Sequence, residues 1–446
     1  MMENQNLDSA RKAAYLALRD VEENKAYAGL AVKSVVKNLS PQNASFAREL
    51  VYGTIRKQMF FDYLIGSFIR TPVNKLPVSD KVLLRMGLSQ LLTLGSVPEY
   101  AAVSETVELA KRYSRGREKF INGVLRTYIR EKDSVELPDR DKDIVKYLSL
   151  KYSFAPWIVE MWLKSYEESD FVEHLLDALN KNPRFCIRVN TLKTTPEELI
   201  KEFELLGYSV TQDEDLADVL FLDEMSEVKP LDTEFYKKGL FSVQDKSSRL
   251  TAFCLDARPG DLIIDVCSAP GGKTMAIAET MNNTGRIVAM DIHEHKAGLI
   301  ESEAKRLGIK IVETLTWDST KTYNEFIGAA DRVLVDAPCS GLGTARRKPD
   351  VKYKPFDERM ETLPQTQLEI LRASAHYLKQ GGILVYSTCT IAARENKDVV
   401  TEFLSSEDEF ELVDMIQLMP MTGETDGFFM CKLKRRENAF GGNDAE

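Results

Sequence analysis

The chain has 446 residues, 43% of them apolar and 29% charged, and a net charge of −10. That is the composition of a folded globular protein of about two to four domains, not of a disordered chain. No stretch approaches the ~18 consecutive apolar residues that cross a bilayer. The N-terminus holds no apolar run of the signal-peptide kind, so a cytoplasmic protein without a membrane is expected. The six cysteines, at 186, 254, 267, 339, 389 and 431, form no Cys-x-x-Cys pair, and there are only four histidines. A disulfide framework and a metal site both lack their ligands.

Residues 1–130 carry 20 Lys and Arg against 12 Asp and Glu, whereas the remainder carries 39 against 57. A basic module fused to an acidic one makes nucleic acid a plausible partner of the first. This basic module reads as all helix. Ala14, Leu18 and Val21 share a helical face, as do Leu84, Leu88 and Leu91, Val103, Val107 and Ala110, and Phe120 and Val124. Breakers at Ser40-Pro41, Thr71–Pro77 and Val97-Pro98 divide the stripes into about five to seven helices.

Residues 131–149 are charge-dense, contain Leu137-Pro138, and read as a linker. Residues 150–242 read as a small α+β module, with Trp157–Leu163 helical, Phe185–Asn190 extended, and Leu205–Val210 passing through Gly207 into another strand. From 243 to 446 strands alternate with helices. Strands are expected at Leu262–Val266, Ile287–Met290, Arg332–Val335, Ile383–Ser387 and Phe428–Leu433, and helices at Thr274–Thr280, Lys296–Leu307 and roughly 365–379. This alternation implies an α/β domain with a parallel sheet and right-handed crossovers.

In such a sheet ligands bind beyond the carboxyl ends of the strands. The first of these ends reads Asp265-Val-Cys267-Ser268-Ala269-Pro270-Gly271-Gly272-Lys273-Thr274. Its glycines allow close backbone approach, and the following helix offers free N–H groups. Gly272-Lys273-Thr274 matches the end of a nucleotide-triphosphate loop, but the first glycine of that loop would fall at Cys267, which argues against an ATPase. Asp291, at the second strand end, suits a pair of ribose hydroxyls. Asp318, after the third strand, is placed to reach an adenine ring, the ordinary alternative being a cap or turn. A nucleoside site without a phosphate grip suits S-adenosylmethionine.

The remaining two ends read Asp336-Ala-Pro338-Cys339-Ser340-Gly341 and Tyr386-Ser387-Thr388-Cys389-Thr390. Two cysteines and a carboxylate at neighbouring strand mouths fit methylation of cytosine at carbon 5. A thiolate adding at carbon 6 makes carbon 5 nucleophilic, a carboxyl serves N3, and a second thiol assists departure of the product.

On these three motifs the chain resembles the bacterial RNA cytosine-C5 methyltransferases of the Fmu/Sun/RsmB type. Residues 1–130 look like the NusB-type helical RNA-binding domain of those enzymes, and 150–242 like their RRM-like subdomain. The resemblance implies a class I, Rossmann-like catalytic domain over 243–446. It also implies methyl transfer from S-adenosylmethionine to a cytosine of 16S ribosomal RNA, the residue numbered 967 in that family. By motif, Cys389 corresponds to the nucleophile, Cys339 to the release cysteine, and Asp336 to the contact with N3. Cys267 through Lys273, Asp291, Asp318 and Asp336 would line the cofactor pocket, with Lys273 also near the reacting base. DNA cytosine-C5 methyltransferases attack with the cysteine of their Pro-Cys motif, so Cys339 stands as the alternative nucleophile.

Arg346, Arg347, Lys348, Lys352 and Lys354 form a basic run in an acidic domain and are expected to grip phosphates beside the target base. Nothing demands an oligomer, and a monomer is expected. Two other functions are weighed. One is the same chemistry on transfer RNA; the other is a non-catalytic RNA-binding or assembly factor, against which the intact motifs argue.

Overall fold

The apolar stripes of residues 1–130 are carried by helices Met2–Asn24, Ala28–Val35, Pro41–Arg56, Gln58–Phe68, Val78–Thr93, Glu99–Tyr113 and Glu118–Glu131. Their boundaries follow from the breakers. The Ser40 hydroxyl accepts the Asn43 N–H at the start of the third helix, and Pro77 and Pro98 stand immediately before the fifth and sixth, where a missing N–H costs nothing. Leu50, Leu83, Leu84, Ile121 and Leu125 are fully buried at the centre of this bundle. At Gly87 the fifth helix approaches the seventh so closely that a β-carbon would lie 2.8 Å from Leu125 Cδ1.

The computed structural model describes residues 2–223 and 228–437. The end of the expected catalytic domain, 438–446, and positions 224–227 of the expected small module lie outside the described residues. The chain divides into two units, residues 1–181 with 345–355, and 182–344 with 356–446. The first unit therefore takes in helices Ile144–Tyr152, Pro156–Ser165 and Ser169–Ala178, the first of which starts inside the expected linker.

The segment 345–355 is an excursion that leaves the second unit and packs in the first. Lys352 anchors it. Its side chain is fully buried, and Nζ donates to the Arg56 carbonyl (2.6 Å), the Tyr152 carbonyl (2.9 Å) and Asn180 Oδ1 (2.6 Å), 4.3 Å from the centre of the Phe154 ring. Tyr353 donates its hydroxyl to the Ile55 carbonyl at 2.7 Å. Arg346 is also buried. The expectation of a surface run gripping phosphate thus fails for Lys352 and Arg346. The Lys352 ammonium is spent on two chain carbonyls and the Asn180 side chain, and of the five residues only Lys348 is exposed.

In the second unit the strands are β1 (Phe185–Val189), β2 (Ser209–Gln212), β3 (Val219–Asp223), β4 (Phe241–Val243), β5 (Leu262–Asp265), β6 (Arg286–Asp291), β7 (Val312–Thr316), β8 (Ala330–Asp336), β9 (Leu378–Thr388), β10 (Phe410–Leu418) and β11 (Phe428–Arg435). The first four make an antiparallel sheet in the order β2-β3-β1-β4. The others make a seven-stranded sheet in the order β10-β11-β9-β8-β5-β6-β7. Strands β5 to β9 run parallel, and β11 and β10 are added antiparallel.

Both faces of the large sheet are covered, and alternate residues serve opposite cores. Ile263, Ile287, Leu334 and Val385 pack with Met275 of helix Gly272–Thr280, whereas Ile264, Val288, Val333 and Leu384 pack with Leu371 and Phe403.

Two boundaries differ from expectation. The helix placed at roughly 365–379 is Glu358–Ala375, capped by the Asp357 carboxylate on the Met360 N–H. Pro364 lies inside it instead of near its start. The carbonyl this proline leaves without a donor, that of Met360, accepts Arg394 Nη2 at 2.8 Å, which lets the helix continue. The following strand consequently opens at Leu378 and not at Ile383.

Lys352→Met should lower the stability of the first unit by roughly 1–3 kcal/mol, the cost of buried acceptors left unpaired. Thermal unfolding of the full chain should show the loss, with Lys348→Met unchanged. Equal midpoints for the two variants would mean that Lys352 does not anchor the segment.

Candidate active site

Strand β5 lies between β6 and β8, so the chain leaves it on one side for β6 and β7 and returns on the other for β8 and β9. This reversal opens a crevice at the carboxyl edge. Asp265, Asp291 and Asp336 end three of the strands that meet there, and Thr388 ends a fourth.

Beyond β5 the chain turns tightly, with the Gly271 N–H donating to the Ser268 carbonyl at 2.7 Å. Gly271 takes φ +104° directly before helix Gly272–Thr280, a conformation that L side chains rarely adopt. Ser268 ties the turn to β6, its Oγ donating to the Met290 carbonyl at 2.9 Å. The first N–H groups of the helix open towards the crevice, as an anionic or carboxylate ligand requires. Thr274 donates its hydroxyl to Asp265 Oδ2 at 2.7 Å. Asp265 Oδ1 is buried with no side-chain hydrogen-bond partner among the described residues, and Thr274, Lys273 and the Cys267 backbone pull the carboxyl down against its burial. An unsatisfied acceptor of this kind fits a cationic ligand group. The residues present therefore fit S-adenosylmethionine.

Asp291 receives the His293 N–H at 2.9 Å and lies 3.3 Å from Lys296 Nζ. Asp318 is held in a local turn by the N–H and hydroxyl of Thr320, which keep its carboxyl below the usual range. Each is at the expected strand end, though part of its accepting capacity is already used. Burial, and then the neighbouring carboxylates, push the Cys267 thiol far up, so it stands in the loop as a neutral group.

Across the crevice, Asp336 and Lys273 form an ion pair, Nζ to Oδ2 2.7 Å, while Ser387 donates to Asp336 Oδ1 at 2.9 Å. Lys273 also lies over the ring of Phe428, 4.9 Å from its centre. Burial pulls its proton affinity down, but Asp336 holds the ammonium above its ordinary value. Cys339 Sγ and Cys389 Sγ are 3.2 Å apart. The hydrogen bond with Cys389, then burial, then the charges of Cys389, Glu395 and Asp336 hold the Cys339 thiol well above its ordinary range. Both cysteines are only half-buried, and so are Lys273 and Asp336, so a ligand can reach all four.

Sequence reading missed Ser387, Phe428, Glu395 and Gln367. Ser387 stands in the Tyr386–Thr390 motif, but the register that sets it opposite Asp336 is visible only in the structure. Among the described residues no group of three or more His, Cys, Asp and Glu is arranged to hold a metal, and no helix is long and apolar enough to cross a membrane.

Asp265 gives a pH test of this geometry. Burial first, then Asp336, pushes its carboxyl up to about 7, against the pull of Thr274. Between the unfolded value of about 4 and 7 the unfolded chain loses this proton while the folded chain keeps it, so stability falls as pH rises through that window. In urea unfolding without cofactor, Asp265→Asn should remove that decline. Parallel pH curves for the two proteins would refute it.

A model of the family described as 16S rRNA methyltransferase RsmB/F matches residues 252–434. A NusB family model matches 8–130, and an RsmF/B-like ferredoxin-like domain matches 154–229. The probable ribosomal RNA small subunit methyltransferase B of Bacillus subtilis is 38% identical, over 96% of this chain and 99% of that relative. Ribosomal RNA small subunit methyltransferase B of Serratia proteamaculans is 30% identical over 97% and 99%. The crystal structure of PH0851 superposes with a TM-score of 0.81 at 26% identity, covering 96% of this chain and 99% of that one. NSun6 from Pyrococcus horikoshii with SFG shares the fold at 22% identity, with a TM-score of 0.57 over 63% of this chain and 98% of that one. The all-helical N-terminal domain, the small antiparallel sheet and the Rossmann-like sheet with its S-adenosylmethionine crevice are those of one family, and the chain belongs to the RsmB/F 16S rRNA methyltransferases.

Proposed function

We propose that the chain methylates carbon 5 of a cytosine in 16S ribosomal RNA, at the position equivalent to 967, through a covalent bond between Cys389 Sγ and carbon 6 of the base. The observation that carries this is the pair of sulfurs 3.2 Å apart beside the Lys273–Asp336 ion pair. The surroundings of the two sulfurs are unequal. Lys273 acts on Cys389, whereas Glu395 and Asp336 act on Cys339. A positive charge favours a thiolate and a negative charge a thiol. The proton that the pair shares therefore sits on Cys339, and Cys389 is the sulfur free to attack.

As Cys389 Sγ adds to carbon 6, charge develops at N3, and the Asp336–Lys273 pair supplies a proton there. S-adenosylmethionine supplies the electrophilic methyl that carbon 5 accepts. Once Cys389 is bonded to carbon 6, it no longer hydrogen-bonds to Cys339 as a thiolate. The largest influence that kept Cys339 protonated is gone, and its proton passes to solvent. The Cys339 thiolate then takes the proton from carbon 5. The carbon 5–carbon 6 double bond re-forms, the carbon–sulfur bond breaks, and N3 returns its proton. Cys389 leaves as thiolate and Cys339 ends as thiol, which restores the starting pair. One proton is released per methyl transferred.

Cofactor contacts are proposed for Cys267 through Lys273, Asp291, Asp318 and Asp336. Phosphate contacts are proposed for Lys348 with Arg347 and Lys354, and not for the buried Lys352 and Arg346. The NusB-like domain is proposed to bind the same RNA, the protein acting as a cytoplasmic monomer.

The test is incubation of purified protein and S-adenosylmethionine with RNA from cells lacking the activity, followed by bisulfite mapping and denaturing gels. One protected cytosine in 16S RNA is expected. Cys389→Ala should lose both protection and adduct, and Cys339→Ala should accumulate the adduct. Adduct in Cys389→Ala with none in Cys339→Ala would reverse the two roles. Protection confined to transfer RNA would overturn the substrate.

A further inference from the structure

The turn that carries Cys339 is not held by β8 alone. Behind it lies Glu395, a buried carboxylate 3% exposed. Its Oε2 accepts the Ser340 N–H at 2.8 Å and Gln367 Nε2 at 3.2 Å. Gln367, itself fully buried, also donates from Nε2 to the Pro338 carbonyl at 2.9 Å. The residues on either side of Cys339 are thus fixed to one carboxylate, directly at Ser340 and through Gln367 at Pro338. Glu395 is fixed in turn from the other cysteine's strand, because its carbonyl accepts the Tyr386 hydroxyl at 2.6 Å. A buried carboxylate is expensive to keep without a cation, and no lysine or arginine pairs with Glu395 among the described salt bridges. Only hydrogen bonds offset the cost; one partner, Ser340, flanks the sulfur that must reach carbon 5, and the other, Gln367, holds Pro338 on its opposite side.

The geometry points to Glu395 as a positioning residue of the reaction, one that sets the Pro338-Cys339-Ser340 turn so that Cys339 can take the carbon 5 proton. It touches neither base nor cofactor and acts through Ser340 and Gln367. This rests on the assignment of Cys389 as nucleophile and Cys339 as release base. Loss of the carboxylate should leave the first half of the reaction standing and stall the second.

The experiment compares Glu395→Ala, Glu395→Gln, Cys339→Ala and Cys389→Ala in the full chain, with unmodified 16S RNA and S-adenosylmethionine. For Glu395→Ala, one methyl per enzyme should still be transferred, and the covalent RNA complex should persist on denaturing gels as for Cys339→Ala. Multiple turnover should fall by about tenfold to a hundredfold, the usual cost of a reacting group displaced by about 1 Å. Glu395→Gln keeps an oxygen for the Ser340 N–H and should fall between Glu395→Ala and wild type. S-adenosylmethionine affinity, measured by titration calorimetry, should be unchanged in both. Unaltered turnover in both Glu395 variants would overturn the assignment. A parallel loss of cofactor binding, methyl transfer and adduct would overturn it as well, because Glu395 would then be merely structural. Cys389→Ala separates the underlying assignment: persistent adduct there would refute the nucleophile and leave the Glu395 comparison readable on its own.

Discussion

The parallel register of β8 on β9 sets Asp336 opposite Ser387. Cys339 follows Asp336 by three residues and Cys389 follows Ser387 by two, so this one alignment delivers both sulfurs to the same edge of the sheet. A slip of one residue would turn alternate side chains to the opposite face and separate them. Backbone bonds past the strand ends extend the alignment. The Ala337 N–H donates to the Ser387 carbonyl at 2.9 Å, the Gly343 N–H to Cys389 at 3.1 Å, and the Gly427 N–H to Gly343 at 3.0 Å. Gly343 is required in this seam, because a β-carbon there would lie 1.8 Å from the Gly427 carbonyl oxygen.

On that frame the charges are arranged unequally. Lys273 is surrounded by Asp336, Asp265 and Cys389, which raise its ammonium against the effect of burial. Asp265 bears the opposite burden, with burial favouring its neutral form. The crevice therefore holds a cation that acts on Cys389 and carboxylates that act on Cys339. A symmetric pair of cysteines would share their proton evenly and leave the direction of attack undecided. The asymmetry comes from the strand order, since Lys273 follows β5 whereas Glu395 follows β9.

Much of this was legible in the sequence because it is local. The helical stripes of the N-terminal domain, the strand–helix alternation and the reactive residues at the strand ends each need only a few neighbouring positions to be recognised. What was not legible depends on partners far away in the chain. Lys352 reads as one more surface cation, yet its oxygens come from Arg56, Tyr152 and Asn180. Pro364 falls just before the expected helix over roughly 365–379, yet Arg394 makes it tolerable inside the observed one. Strand β10 escaped notice because most of its residues are exposed or half-buried on both faces and a bulge interrupts its alternation between Leu412 and Asp414. Glu395 carries no motif of its own, and its role is visible only where Ser340 and Gln367 converge on it.

Two thiols in van der Waals contact also answer a difficulty of the proposed chemistry. The base that removes the carbon 5 proton must be strong, but a strong base present from the outset would compete for the proton that Cys389 has to lose. Coupling the two sulfurs resolves this in time. While Cys389 is free, its proximity and charge keep Cys339 protonated and therefore inert. Bond formation at carbon 6 would convert Cys389 into a neutral thioether, and the same proximity would then exert no such hold. In the proposed reaction the second thiolate would become available only after the first had been consumed, so the order of steps would follow from the distance between two sulfur atoms. A carboxylate in place of Cys339 would be ionised throughout, and it would place a permanent negative charge against the attacking thiolate.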